Sequence, residues 1–264
     1  MMHIYIPTYR RVDKQKTWSG LPVDVRQRTT LVCVAEEAQA LRRAIGAQVL
    51  VQPSHIKTIA AKRQWIVDQC DAEKMVMLDD DLRFCARDPV RGMGRLEGKE
   101  VVGGGVYLPT SSRKDVQAMF GELEEQLDTY AHAGISMRSG NQSRFPGWHE
   151  NKRMIYVLAY DVARLRRFAR FDGIAHREDM WVTLKLLTAG MANSVSYKYA
   201  IDSHYNKAGG EASAGRTVTS SNEDAYKLAK EFPQFVRAVE KPYKSIPRVE
   251  VVVQWSKAWQ KHLA

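Results

Sequence analysis

Three consecutive aspartates, Asp79, Asp80 and Asp81, stand directly after the apolar run "KMVML". Adjacent carboxylates repel one another, and a hard divalent cation bound through oxygen is the counter-charge that makes such a group tolerable. Mg2+ or Mn2+ takes one or two protein carboxylates and completes its shell with substrate phosphates. Nucleotide-sugar transferases, two-metal nucleases and nucleotidyltransferases all use chemistry of this kind. The competing explanation is a solvated turn or a helix cap.

Other residue groups bear on the choice. "PTYRR" places Thr8, Arg10 and Arg11 after another apolar run, without the Gly-rich phosphate loop that a nucleotidyltransferase would carry there. A hydroxyl with guanidinium groups suits a nucleotide base or a diphosphate; the alternative is an exposed basic turn. "HRED" brings Glu178 and Asp179 to the first turn of a helix. Acidic residues are stabilised there by the helix dipole, and one of them is also a candidate general base for an acceptor hydroxyl. His204 in "IDSHYN" is a candidate third metal ligand, with Asp202 behind it. Gly209, Gly210 and Gly215 with Arg216 offer one guanidinium in a Gly-rich segment suited to closing over a diphosphate. Arg138, Arg144, Lys152 and Arg153, with Trp148 among them, are basic and aromatic residues able to contact a displaced nucleotide, or else a solvated loop.

The elements that must position these residues follow from periodicity. "HIYIP", "TTLVCVA", "AQVLVQ" and "KMVML" read as strands, with "EEAQALRRAIG" and "IAAKRQWIVDQC" as intervening helices. That alternation predicts a parallel sheet with helices on both faces. Ligands of such sheets bind beyond the carboxyl ends of the strands, where "PTYRR" and "DDD" both lie. Further on, a short strand is expected at "EVVGGGVYL" and an amphipathic helix over Val116 to Tyr130, with Gly134 as its stop. "GISMRSGNQSRFPGWHENKR" reads as a polar loop and "RMIYVLAY" as a return to the sheet. Next come the helix "EDMWVTLKLLTAG" capped by Gly190, the strand "NSVSYKYAI", a helix from an Asn222 cap, and a closing strand "VEVVVQW".

The chain has 264 residues, enough for one domain with a long insertion. There is no run of eighteen apolar residues and no signal-like start, so a soluble cytoplasmic protein without membrane contact is expected. Three cysteines without CxxC spacing argue against a disulfide framework and a zinc site. Forty Lys and Arg against thirty Asp and Glu give a net charge of +10, which favours a polyanionic partner.

Taken together, "IPTYRR", "MLDDDLRF", "GISMRSGNQSRF", "HREDMWVTLKLLTAG", "AGGEASAGRT", "EFPQFV" and "VEVVVQWSKAW" resemble the GT-A glycosyltransferases. Within that class they look like the TET-associated glycosyltransferases of tailed bacteriophages. The resemblance implies a single α/β domain over residues 1–264, mostly parallel in its sheet with a mixed C-terminal half. Residues 1–85 would then bind the nucleotide and residues 86–264 the acceptor. It implies a nucleotide-sugar donor, UDP-sugar foremost, with Mn2+ or Mg2+. The implied acceptor is 5-hydroxymethylcytosine in double-stranded DNA, in the cytoplasm of an infected bacterium. By the same resemblance Thr8, Arg10 and Arg63 contact the nucleotide, Asp79 the ribose or the metal, and Asp81 the metal. Asp179, with Glu178 beside it, is base or acceptor anchor, while His204 matches only imprecisely. The rivals are a GT-A enzyme with a polysaccharide or protein acceptor, a metal-dependent nuclease, and a DNA-binding module.

Overall fold

The computed structural model describes residues 1–87, 95–96, 99–100, 105–107, 113–138, 147–203, 217–243 and 246–261. In chain order the first half runs β1 (His3–Pro7), α1 (Lys16–Gly20), α2 (Val23–Gln27), β2 (Thr29–Cys33), α3 (Ala35–Ile45), β3 (Gln48–Val51), α4 (Ile59–Gln69), β4 (Lys74–Leu78) and β5 (Leu82–Arg87). Short strands β6 (Arg95–Leu96), β7 (Lys99–Glu100) and β8 (Gly105–Tyr107) precede α5 (Arg113–Thr129), β9 (His132–Met137), β10 (Trp148–Glu150) and β11 (Val157–Asp161). The rest is α6 (Val162–Phe168), a 3-10 turn (Phe171–Gly173), α7 (Glu178–Thr188), β12 (Asn193–Ser203), α8 (Val218–Glu231), β13 (Val236–Lys241), β14 (Arg248–Val253) and α9 (Trp255–Gln260).

The main sheet has the order β3-β2-β1-β4-β11-β9-β12-β5-β8, with β10 on β12. Strands β1 to β4 are parallel, as their helical crossovers require. β11 and β5 run against their neighbours, which gives the second half its mixed character. The α/β, GT-A-like architecture expected from the sequence is therefore present. Its physical basis is visible along β4, where Met75 and Met77 enter one core layer and Val76 and Leu78 the other. A strand covered on both faces has no polar side to show, so it reads as a continuous apolar run. The first layer packs under α4, α6, α7, α8 and α9; the second packs under α1, α2 and α5.

β2 and β4 lie on opposite sides of β1, so the crossover direction reverses there. Such a switch opens a crevice at the carboxyl ends of the two central strands. Among the described residues no helix is long and apolar enough to cross a membrane, and all three cysteines are buried.

Two expectations need correction. Gly134 does not stop the amphipathic helix, which ends at Thr129; it lies inside β9, in a stretch expected to be loop. A Cβ there would sit 3.0 Å from the Val157 carbonyl oxygen, so glycine permits the close approach of β11. Asn222 does not cap α8, because Thr217 does so through a reciprocal capping box with Ser220. Asn222 instead donates to the Pro247 carbonyl at 2.7 Å and accepts the Val249 N–H at 2.8 Å.

His132 of β9 gives the core a pH dependence. It is fully buried, its Nε2 lies 3.0 Å from the Met191 carbonyl, and its Nδ1 has no partner among the described residues. Burial pushes its pKa down to about 4. The neutral ring is therefore the native form, and its stabilising contribution is complete above the ordinary value of 6.5. It is lost as pH falls toward 4, by about 3 kcal/mol over that window. Urea unfolding as a function of pH is expected to show this loss, and His132→Phe is expected to flatten it.

Candidate active site

The chain leaving Pro7 and the chain leaving Leu78 emerge side by side, since β1 and β4 pair along Tyr5 and Met77. The polar residues after β1 then tie down the aspartates. Thr8 Oγ1 donates to Asp80 Oδ2 at 2.7 Å and accepts from Gln15 Nε2 at 2.8 Å. Arg11 pairs with Asp80 and lies 3.1 Å from Asp81 Oδ2. Thr17 Oγ1 donates to the Asp79 carbonyl at 2.5 Å and accepts the Leu82 N–H at 2.8 Å, closing the turn from beneath. Asp80, only 4% exposed, is thus consumed as an anchor. Lys62 donates from α4 to the Thr8 carbonyl at 2.9 Å, and burial brings its pKa down to about 8. Arg10 has a left-handed backbone at φ 55°, is exposed, and lies with its guanidinium 5.1 Å from the centre of the Tyr9 ring.

Asp79 and Asp81 keep side-chain exposure of 30% and 17%. Asp79 Oδ1 accepts from Arg63 Nη2 at 2.6 Å, and Asp81 Oδ1 accepts from Ser203 Oγ at 3.2 Å. Burial pushes the Asp79 carboxyl up to about 7; Arg63 opposes that shift, and Asp81 and Asp80 add to it.

Arg63 is the link between distant parts of the site. From the middle of α4 its Nη1 pairs with Glu178 at the start of α7, while Nη2 holds Asp79. Burial works against its charge, but Glu178, Asp79 and Asp179 outweigh burial and hold it above its ordinary value. Glu178 is therefore spoken for. Asp179 lies at the edge of the cluster, 3.9 Å from Arg153 Nη2 and 13% exposed. Arg177 precedes them with a left-handed φ of 63° and donates to the Val249 carbonyl at 2.9 Å. The His176 N–H is held by Asp224 Oδ2 at 2.7 Å, which fixes the segment from the other side.

A model of the family described as TET-associated glycosyltransferase matches residues 2–210. The chain belongs to that family. This TET-associated glycosyltransferase is 23% identical over 243 residues to the beta-glucosyl-HMC-alpha-glucosyl-transferase of Enterobacteria phage T6, covering 90% of this chain and 83% of that protein. The enzyme of the same name from phage T2 matches equally far. Among solved structures, glucosyl-3-phosphoglycerate synthase from Mycobacterium tuberculosis, in complex with Mn2+, uridine-diphosphate and phosphoglyceric acid, superposes with a TM-score of 0.55 at 10% identity. That match covers 96% of this chain and 87% of the other, and shows a common fold.

Of the residues singled out in the sequence of the glycosyltransferase, the fold gathers Thr8, Asp79, Asp81, Arg63, Glu178 and Asp179 into one network of hydrogen bonds and ion pairs. Asp202 pairs with Arg138 at 3.7 Å at the end of β12, one residue from Ser203. His204, Arg216, Arg144 and the glycines 209, 210 and 215 lie outside the described residues. Sequence reasoning read Arg11 as suited to a nucleotide base or diphosphate and passed over Gln15, Thr17 and Lys62; all four serve here as anchors. Their signal is the polar run "YRRVDKQKT" set against a buried strand end. As to a cation, Asp79 and Asp81 are two partly exposed carboxylates at one strand end, which fits a hard ion completed by phosphate and water. No cluster of three ligating side chains occurs among the described residues.

Proposed function

We propose that this glycosyltransferase moves a sugar from a nucleotide sugar, UDP-sugar foremost, to hydroxymethylcytosine in double-stranded DNA. The observation that carries the reading is the Arg63 bridge, which joins the strand-end aspartates to Glu178 and hence to Asp179. One cluster of charge therefore serves a donor diphosphate on one side and an acceptor hydroxyl on the other. The half up to residue 85 holds the nucleotide, and residues 86–264 form the acceptor side.

In this reading Asp79 and Asp81 hold Mn2+ or Mg2+. The cation, when bound, neutralises charge on the departing nucleoside diphosphate. Thr8 and Arg10 face the nucleotide, with Thr8 fixed by Asp80. Arg63 becomes a positioning residue, because both ends of its guanidinium are engaged by carboxylates. Asp179 takes the acceptor proton or anchors the acceptor, since Glu178 is neutralised by Arg63. His204 as third ligand and Arg216 as a diphosphate clamp complete the set. The acceptor places the enzyme in the cytoplasm of the phage-infected cell.

The names of the phage relatives favour a second acceptor, a hydroxymethylcytosine that already carries a glucose. Incubation with UDP-glucose, other UDP-sugars and Mn2+ on duplexes holding cytosine, hydroxymethylcytosine or its β-glucoside separates the two, with nucleoside mass spectrometry as readout. Transfer to at least one modified duplex is expected, falling steeply between about 50 and 200 mM salt as phosphate contacts are screened. No transfer from any donor to either modified duplex would overturn the reading. Transfer that ignores salt points to a polysaccharide or protein acceptor.

A further inference from the structure

The charge of the chain is not spread evenly. From position 236 to 261 it has six Lys and Arg against two Glu, beyond the residues that the family model matches. This stretch is the antiparallel hairpin β13–β14 followed by α9. Its register pairs Arg237 with Val252, Val239 with Glu250, and Lys241 with Arg248. Side chains alternate between the faces of a strand, so these six share one face. Val236, Val251 and Val253 on the other face join the core with Leu228 of α8. Arg237, Lys241, Arg248 and Val252 are exposed.

Placement beside the site is set by the Arg177 guanidinium, which binds the Val249 carbonyl at 2.9 Å. Arg177 is two residues from Asp179. The end of the hairpin that carries Lys241 and Arg248 therefore adjoins the acceptor side of the crevice, and Asn222 clamps Pro247 and Val249 to hold it there. Lys241 and Arg248 are like charges directly across the ladder, an arrangement that disfavours pairing. Glu250, 2.7 Å from Lys241, answers one charge of the pair. Nearby, Tyr243 and Ile246 in the connection between the strands are 41% and 47% exposed.

A cationic ribbon with exposed apolar side chains at its end suits the sugar-phosphate backbone and bases of nucleic acid. We propose that the β13–β14 hairpin is a duplex-DNA contact surface, with Lys241 and Arg248 on phosphates and Tyr243 against a base beside the acceptor site. The proposal rests on the DNA-acceptor reading, but its test does not use glycosyl transfer.

The probe is a short fluorescein-labelled unmodified duplex, bound by the full chain without nucleotide sugar and followed by anisotropy over a salt series. The double variant Lys241→Ser/Arg248→Ser is expected to bind roughly tenfold more weakly, with the slope of log K against log salt reduced by about 1.8. Tyr243→Ser is expected to weaken binding with the slope unchanged. Arg43→Ser/Arg167→Ser removes the same charge from α3 and from α6, whose start lies at the opposite end of the sheet, and should bind as the wild type does. Thermal melting checks that each variant folds. If Lys241→Ser/Arg248→Ser keeps wild-type affinity and slope, the hairpin is not the contact surface, whatever the transfer assays show. If the wild type does not bind duplex at all, the proposal also fails, and the hairpin is left for a protein partner. Binding that depends on the hairpin would stand even if hydroxymethylcytosine proved the wrong acceptor.

Discussion

Asp81→Asn is expected to lower kcat for transfer by about 10³-fold while leaving the melting temperature close to that of the wild type. The reason lies in how the three aspartates divide the work. Asp80 is buried and engaged by Thr8 and Arg11, so its loss loosens the turn that follows β1. Asp81 lies 3.1 Å from Arg11 and 3.2 Å from Ser203, and its side chain stays 17% exposed. Removing its charge weakens repulsion within the cluster, so folding loses little, whereas a cation loses one of two carboxylates. Asp80→Asn is the control with the opposite pattern. It should destabilise by about 1–3 kcal/mol through a weakened buried network, with a smaller effect on kcat once folded. Thermal melts beside steady-state transfer to modified duplex check both. A near-wild-type kcat for Asp81→Asn would remove that residue from the proposed metal site.

Why this division was hard to see in the sequence is a matter of range. The parallel half was legible because β1, β2 and β4 are covered on both faces and carry the apolar runs "IYIP", "LVC" and "MVML". β9 was not, since its Gly134 resembles a helix stop and the residues from Gly134 on read as a polar loop. Its Gly134 and His132 are there for contacts made far along the chain: Gly134 for the Val157 carbonyl, His132 for the Met191 carbonyl. β5 was hidden because it begins one residue after the aspartates, where attention falls on charge rather than on the alternation in "LRFCAR". At the site, residue types and strand-end positions pointed to Asp79, Asp81 and Asp179. Partnership did not follow from them. Arg63 and Glu178 are 115 residues apart, and nothing in either local pattern tells which carboxylate a buried guanidinium will neutralise.

That partnership gives the second large effect. Arg63→Met is expected to destabilise the protein by about 3–5 kcal/mol and to reduce transfer below one per cent of the wild type, roughly matching the loss of a preorganised charge. Arg63 is 4% exposed and holds Glu178, itself 5% exposed, so the variant removes the guanidinium that pairs with a buried carboxylate. The same deletion frees Asp79, whose remaining charged neighbours are acidic or belong to the cluster it must share. Arg63→Lys should recover only part of the stability, because an ammonium is a point charge and cannot span two carboxylates as a planar fork does. The decisive comparison is Arg63→Met/Glu178→Met. An apolar pair replacing a buried ion pair is often close to neutral, so the double variant should be more stable than Arg63→Met alone. Its activity should nevertheless stay low, since α7 would lose its ion pair to α4 and Asp179 the electrostatic tie to the donor side. Urea unfolding of the wild type, Arg63→Met, Glu178→Met and the double variant gives the coupling energy, and transfer assays on the same samples show whether stability and activity part company. Equal instability of the single and double variants would mean that Glu178 finds another partner, and that Arg63 does not carry the link between the two halves of the site.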